Sequence, residues 1–239
     1  MSPLLMALLA VFLLFISGFI FFNFKAARRK VQRDDEISLL ANSRGWHYLI
    51  PRNPAAGFQL SGKAYSKFSW QLEVCCGEEG GHSVWSVGAW QSGDRFAAIL
   101  PASIYNLYAG DEGKVRLRVM NNLSLWQTGE SPVLTKILSR GKSIPFGTPD
   151  FRRSFKVIAS DTALALALFS NKVDTALLNW RISDGDADKI QVFASDKGIQ
   201  VELDDTADLA QIEKLVSLGL TCLVGLSDLL EPVVLNRLG

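Results

Sequence analysis

The sequence is poor in the residue types from which catalytic and metal sites are commonly built. Its 239 residues include two histidines and three cysteines. Two of those cysteines are adjacent, at Cys75 and Cys76, which is unlike the even, spaced pattern of a secreted disulfide domain and favours a reducing compartment. The formal net charge is only +1. The chain as a whole therefore does not attract nucleic acid, and we expect no nucleic-acid partner.

Charge is also missing from the start of the chain, where the first charged side chain is Lys25. About 20 consecutive apolar residues are enough to cross the hydrocarbon core of a membrane. Residues 3–24 provide such a run, interrupted only by Ser17 and Asn23 as polar side chains. The basic start and the small-residue cleavage site of a signal peptide are absent. The sequence therefore predicts one uncleaved transmembrane helix at 3–24.

Basic residues follow this predicted span, and none precedes it. They are Lys25, Arg28, Arg29, Lys30 and Arg33. Because basic residues accumulate on the cytoplasmic side of membrane helices, we expect a single-pass protein with its N-terminus outside and its C-terminal domain in the cytoplasm. This membrane-proximal basic cluster is also suited to contact anionic lipid headgroups.

The order of local patterns after the span predicts an α+β fold. It begins with a helical stalk at 25–44, which Gly45 is expected to end. Apolar and polar side chains then alternate at 68–75, as they do in a half-buried strand. We place this strand in a β-rich cytoplasmic unit at 45–135.

A second, α+β cytoplasmic unit is expected at 150–230. It contains a predicted hairpin at 190–203, whose turn is marked by glycine, and a long amphipathic helix at 207–226. The stretch 136–153 contains glycines and prolines and reads as a linker or surface loop. Together these features predict two antiparallel β-rich units with packed helices.

One segment, from Cys75 to His82, combines cysteine, glutamate and histidine. Zinc sites usually separate their paired cysteines by two to four residues, whereas adjacent strand residues point to opposite faces of a sheet. A cysteine nucleophile needs a histidine base within reach, and His82 follows a glycine-rich turn. A strand end and a turn explain the segment better, so we expect no metal site, no cysteine catalysis and no cofactor.

Two other motifs fail on closer reading. The segment at 141–143 ends like a phosphate-binding loop, but Lys136 occupies the position of the motif's first glycine. The aspartates at Asp184, Asp186 and Asp188 open like a calcium loop, but Lys189 stands where that loop requires glycine. An acidic surface loop is the better interpretation of the second motif.

Basic residues recur in the predicted linker. They include Arg140, Lys142, Arg152 and Arg153. Scattered charges on a loop are usually just solvated, but these residues also define a possible contact loop for an acidic partner or for lipid headgroups.

The order of these elements resembles a group of uncharacterised bacterial single-span inner-membrane proteins with a cytoplasmic α+β domain. The resemblance rests on Gly45–Trp46–His47–Tyr48, on the segment 151–157 and on the hairpin at 190–203. It implies a location in the cell inner (plasma) membrane and implies no particular chemistry.

These observations favour a membrane-anchored cytoplasmic interaction or scaffolding protein with a protein partner. One alternative is a membrane-tethered hydrolase or transferase whose site forms only in three dimensions, from residues such as Glu78, Glu79, His82 and Asp94. Another alternative is a lipid or membrane-surface sensor that uses the basic loop.

Overall fold

The computed structural model describes most of the chain after residue 30. The described residues are 21, 24, 25, 28, 31–50, 57–65, 67–77, 80–88, 95–109, 140–169, 172–184, 189–195 and 198–235. In chain order the elements are α1 (31–44), β1 (His47–Leu49), β2 (Phe58–Ala64), β3 (Phe68–Gly77), β4 (Gly80–Val87), β5 (Ala97–Pro101), α2 (Ala102–Ala109), β6 (Lys142–Ile144), α3 (Pro149–Ser154), β7 (Phe155–Ala159), α4 (Thr162–Phe169), α5 (Val173–Asp184), β8 (Ile190–Ser195), β9 (Gly198–Leu203) and α6 (Leu209–Leu235).

The chain divides into two compact units, Met1–Tyr48 and Leu49–Gly239. In the first unit, α1 ends as the sequence predicts: Gly45 has a positive φ of 69°. The N–H groups of Gly45 and Trp46 donate to the carbonyls of Asn42 and Ala41 at 3.2 and 2.8 Å. Paired bonds of this kind satisfy the last carbonyls of a helix, so the glycine ends α1 by providing its C-terminal cap.

The predicted membrane span lies almost entirely outside the described residues. Of residues 3–24, only Phe21 and Phe24 are described, and both are helical and exposed. Among the helices of the described residues, none combines the length and the apolar character needed to cross a membrane.

The strands form one nine-stranded sheet in the order β1-β2-β3-β4-β9-β8-β5-β7-β6. The hairpins β2–β3, β3–β4 and β8–β9 join strands that are neighbours in sequence. The hairpin predicted around Gly198 is present, and this glycine has a φ of 107°. The predicted alternating strand at 68–75 forms most of β3, so the antiparallel α+β class inferred from the sequence is confirmed.

The division into two β-rich units is corrected by the sheet order. β4, from the first predicted unit, pairs with β9 from the second. β5, also from the first, lies between β8 and β7 and pairs with both. β4 and β5 are consecutive in sequence, but β9 and β8 lie between them in the sheet. Both predicted units therefore share one sheet and one core.

Helices α4 and α6 cover one face of the sheet, and α5 packs against both helices. By strand register this face carries Trp85, Val201, Val192 and Ile99, all of which are buried. Helix α6 packs on β4 and β9 and also contacts α4 and α5. The apolar stripe predicted for the last helix is therefore a core face.

A hydrogen-bonded junction sets where α6 begins. The buried Ser83 hydroxyl donates to the Asp205 carbonyl at 2.9 Å and accepts from the N–H of Ala207 at 2.9 Å. Asp208 and Gln211 then bond each other's backbone N–H groups with their side chains, at 3.0 and 2.8 Å. This reciprocal arrangement is a capping box, so β4 and the cap together position the helix on the sheet.

Substituting Gly219 with alanine is expected to destabilise the protein by about 1–3 kcal/mol, the usual cost of overpacking a core. A Cβ atom at this position would lie 2.2 Å from Cδ2 of the buried Trp85 ring. Alanine is otherwise the better helix former and would stabilise the helix. The sign of the change in unfolding free energy therefore shows whether the clash with Trp85 outweighs helix propensity. Chemical denaturation of Gly219→Ala and of the control Ser217→Ala, at an exposed position of α6, measures both. A more stable Gly219→Ala protein would contradict the prediction.

The opposite face of the sheet is divided into an apolar and a polar half. Around β5, β7 and β8 it carries a buried apolar cluster, against which Tyr105 of α2 packs; the cluster consists of Phe96, Ala98, Leu100, Ile158 and Phe193. Around β2, β3 and β4 the same face carries polar side chains such as Gln71 and Ser86, which are only partly buried.

Candidate functional site: a basic surface at the sheet edge

The basic residues predicted for a loop lie instead on ordered elements at one edge of the sheet. β6 is the last strand in the order and pairs with β7, with Lys142 opposite Ala159 and Ile144 opposite Val157. Helix α3 connects these two strands. The stretch 136–153 is therefore not the linker that the sequence suggests: from Lys142 onward it forms an edge strand, a capped helix and the turn between them.

Helix α3 is short, and three contacts fix it in place. The Thr148 side chain accepts a hydrogen bond from the backbone N–H of Phe151 at 3.2 Å, which caps the N-terminus. Phe151 is fully buried and stacks on Phe155 with ring centroids 5.3 Å apart. Gly147 adopts a φ of 77°, and a Cβ there would lie 2.7 Å from the Phe151 ring. The helix therefore rests on its aromatic ring.

Basic residues gather at this edge of the sheet, on the anchored helix, the edge strand and the residues beside them, and we call this group the basic edge. Its members are Arg140, Lys142, Arg152, Arg153 and Lys156. The first four are exposed, and Lys156 is partly buried and donates from Nζ to the Arg152 carbonyl at 3.1 Å. The charges stand at both ends of β6, because Lys142 begins it, Arg140 lies two residues before it, and α3 with Arg152 and Arg153 follows it.

One acidic residue lies among these five cations. Asp150 forms an ion pair with Arg153 at 3.0 Å, in which both side chains are largely exposed. Exposed pairs of this kind contribute little to stability, and a single carboxylate leaves the stretch 140–156 strongly positive. Because the whole chain carries a net charge of only +1, the basic edge is a local concentration of charge.

The signal for the ordered basic edge was present in the sequence but was outweighed by its glycines and prolines. Thr148-Pro149 is a helix start, with a capping side chain followed by proline at the first helical position. Phe151 and Phe155 stand four positions apart, a spacing at which side chains on a helix meet, and their rings stack although Phe155 already begins β7. Lys156, just beyond the predicted linker, also belongs to the basic edge.

The other predicted basic cluster is described only in part. Lys25 and Arg28 are helical and exposed, whereas Arg33 is partly buried in α1. Arg29 and Lys30 lie outside the described residues. Its relation to a membrane stays a prediction from the sequence.

A second polar feature lies in the row of residues that crosses the polar half of the sheet. Glu202 on β9 stands opposite Val84 on β4 and Gln191 on β8. Its Oε2 atom is shielded from solvent and has no hydrogen-bond partner within the described part of the chain. Burial, and secondarily the charge of Asp204, raises the pKa of Glu202 to about 7. This carboxyl therefore holds a proton at a pH where most glutamates are ionised.

The cysteine and histidine of the rejected segment do meet across two strands. Cys75 on β3 stands directly opposite His82 on β4. His82 is exposed, and Glu73 and Glu202 occupy the next row on the same face of the sheet.

The remaining predicted candidates do not form a site in the described part of the structure. Glu78, Glu79 and Asp94, proposed for a hydrolase, lie outside the described residues, as do Asp186 and Asp188. No group of three histidine, cysteine, aspartate or glutamate side chains within the described ranges is placed to hold a metal ion. The segment 141–143 enters strand β6 instead of opening a helix, so it lacks the geometry of a phosphate-binding loop.

Comparison with known proteins identifies no relative by sequence. No protein-family model matches the chain, and no curated protein matches it. One solved structure, the crystal structure of the mycobacterial trehalose monomycolate transport factor A, TtfA, is similar with a TM-score of 0.42 and 9% sequence identity. The similarity covers 82% of this chain and 93% of that one. It is too low to establish a shared fold or function.

Proposed function

We propose that this protein is a membrane-anchored, cytoplasm-facing interaction module that binds an acidic protein partner through the basic edge. The observation that carries the proposal is a set of exposed cations on or beside anchored elements: Lys142 on the edge strand, Arg152 and Arg153 on the helix that buries Phe151, and Arg140 just before the strand. The hydrophobic run at 3–24 supports the anchor, and the basic residues after it support the orientation.

The way the charges are mounted supports binding over simple solvation. A charge that is merely solvated does not need an ordered element to support it. Here the buried aromatic ring of Phe151 fixes the helix that carries Arg152 and Arg153. Side chains on ordered elements lose less conformational entropy on binding than side chains on a flexible loop. Arginine in particular forms paired hydrogen bonds with carboxylates.

An inner-membrane location is part of the same proposal and is supported by the resemblance of the sequence to bacterial single-span membrane proteins. In that setting the anchor confines the domain to the membrane surface, so a partner on the same membrane meets it at a raised effective concentration. Modest charge-driven affinity then suffices for an assembly role.

Reversing two charges on α3 is expected to reduce recovery of the partner at least about tenfold, because complementary charges guide and hold such contacts. The protein is Arg152→Glu/Arg153→Glu, expressed as the tagged full-length chain. Partners are crosslinked in native membranes, recovered by affinity purification and identified by mass spectrometry. For the unmutated protein, recovery without crosslinking should fall between 0.1 and 1 M salt, where the Debye length shrinks from ~10 to ~3 Å.

The matched control is Lys63→Glu/Lys67→Glu, which reverses the same number of charges at exposed positions around the β2–β3 turn. Six strands separate β2 from β6 in the sheet. This control should recover the partner normally. Retention of the partner by Arg152→Glu/Arg153→Glu would overturn the proposal. A second pair of results would also overturn it: no protein crosslinks to the unmutated chain, and Arg152→Glu/Arg153→Glu loses the ability to bind anionic vesicles. That pair would establish a lipid-binding role instead.

A further inference from the structure

The edge strand at the centre of the basic edge has a second property besides charge. Among the strands that the structure describes, β6 has a single neighbour, β7, and lies at the end of the sheet. In an edge strand, alternate residues point their backbone N–H and C=O groups away from the sheet. These groups are a template on which another extended segment can form hydrogen bonds.

We propose that an acidic, extended segment of the partner pairs with β6 and extends the sheet by one strand. This inference rests on the proposed function and adds the binding mode. The outward-pointing backbone groups of the β6 strand provide the hydrogen bonds, apart from the Ile144 carbonyl, which already accepts from the N–H of Phe146 at 2.9 Å. The cations at both ends of the strand select acidic sequence.

The side-chain pattern of β6 specifies the pattern of the incoming segment. Lys142 and Ile144 lie on one face of the sheet, and Ser143 lies on the other, because successive strand residues alternate. Residues directly opposite one another on neighbouring strands interact, and opposite charges are favourable there. A fitting segment therefore places aspartate or glutamate opposite Lys142, with its acidic side chains on the face of Lys142 and β-branched side chains, which suit strands, on the face of Ser143.

The same charges argue against a second copy of this chain as the occupant. Pairing two β6 strands would bring Lys142 and the neighbouring arginines of each copy toward those of the other. Like charges opposite one another destabilise a strand pair. Lysine and proline are also common devices that keep edge strands from pairing indiscriminately, and here Lys142 and Pro145 flank the exposed Ser143. The edge therefore disfavours pairing with neutral or basic strands and favours pairing with acidic ones.

The test uses a synthetic peptide of four alternating Glu-Val units as the probe, added to the detergent-solubilised full-length protein. Two matched peptides carry N-methyl groups on alternate amides. One is methylated on the amides of one strand edge and the other on the amides of the opposite edge, so that one of the two has its β6-facing amides blocked. Both keep every charge. Of the two, the peptide whose pairing amides are blocked should bind at least tenfold more weakly than the unmodified probe. The unmodified probe should also slow hydrogen exchange at residues 142–144.

A charge exchange tests the selection by Lys142. Lys142→Glu should lose most of the affinity for the Glu-Val peptide and bind a Lys-Val peptide more tightly than the unmutated protein does. Equal binding of all three Glu-Val peptides, with no change in hydrogen exchange at 142–144, would overturn strand addition and leave charge-driven binding intact. Failure of every peptide to bind would overturn the inference as well. The crosslinking result with Arg152→Glu/Arg153→Glu decides the proposed function separately.

Discussion

Replacing Phe151 with alanine is expected to reduce the free energy of unfolding by about 3–5 kcal/mol, the usual range for removing a buried aromatic side chain. Phe151 is fully buried, stacks on Phe155 at 5.3 Å and lies against Gly147. Its ring is flanked by a backbone turn with a positive φ at Gly147, which cannot easily move to fill the space. Denaturant unfolding of the full-length protein in detergent, followed by the signal of the soluble domain, measures the loss.

The matched control for this effect is Phe151→Leu, which retains most of the apolar volume and should cost less than half as much. The two substitutions also separate stability from recognition. Phe151→Ala should weaken partner recovery in proportion to the disorder that it introduces into α3, because Arg152 and Arg153 follow the ring directly. A loss below about 1 kcal/mol, typical of a surface substitution, would show that the ring does not hold the helix.

Glu202→Gln is expected to stabilise the protein by about 3 kcal/mol at pH 8 and to change little at pH 5. The folded protein raises the pKa of Glu202 from 4.5 to about 7, and each unit corresponds to about 1.4 kcal/mol. A raised pKa means that the folded state binds the proton more tightly. The resulting stability is therefore fully present below pH 4.5 and is lost as the pH rises through 7. Glutamine resembles the protonated carboxyl in shape and carries no charge, so it removes this loss.

Unfolding free energies of both proteins, measured at several values between pH 5 and pH 8.5, give the comparison. Glu73→Gln is the control, because Glu73 lies in the same row of the sheet but is exposed. It should change stability by less than about 0.5 kcal/mol at either pH. Parallel pH curves for Glu202→Gln and the unmutated protein would mean that Glu202 is ionised and hydrated in the folded state.

The position of Glu202 on the sheet explains why ionising its carboxyl costs free energy in the folded protein. Glu202 lies where the polar half, built from β2, β3 and β4, meets the apolar cluster around Phe193. Gln191, directly opposite on β8, is itself buried. Two polar side chains thus stand at the border of an apolar surface, and the one that can ionise loses its hydration.

Several local features followed from the sequence because they depend on neighbouring residues alone. Alternation of apolar and polar side chains at 68–75 marks a strand wherever the chain places it. Asp161, directly before α4, accepts a hydrogen bond with its Oδ1 from the Ala163 N–H at 2.8 Å, as an N-cap residue does. Gly45 and Gly198 occupy positive-φ positions that most other residues avoid.

The site could not be predicted in the same way, since it depends on which strands become neighbours. The glycines and prolines of 136–153 indicate a linker when they are considered alone. The alternative requires Phe151 to be buried under elements that lie far away in sequence, and it requires β6 to have β7 as a partner. A local pattern contains neither fact, so the basic residues were identified while their ordered arrangement was missed.

By itself, then, the sequence determined the antiparallel α+β class, the strand of alternating side chains, the C-terminal end of α1 and the hairpin at Gly198. It also predicted the apolar run at 3–24 as a membrane anchor, which stays a prediction. Only the tertiary structure decided that β4 pairs with β9, that β5 enters between β8 and β7, and that a basic edge strand ends the sheet. The physical reason is the range of the interactions. Capping, turn formation and periodicity act within a few residues, whereas strand order is set by burying one shared apolar face across the whole sheet.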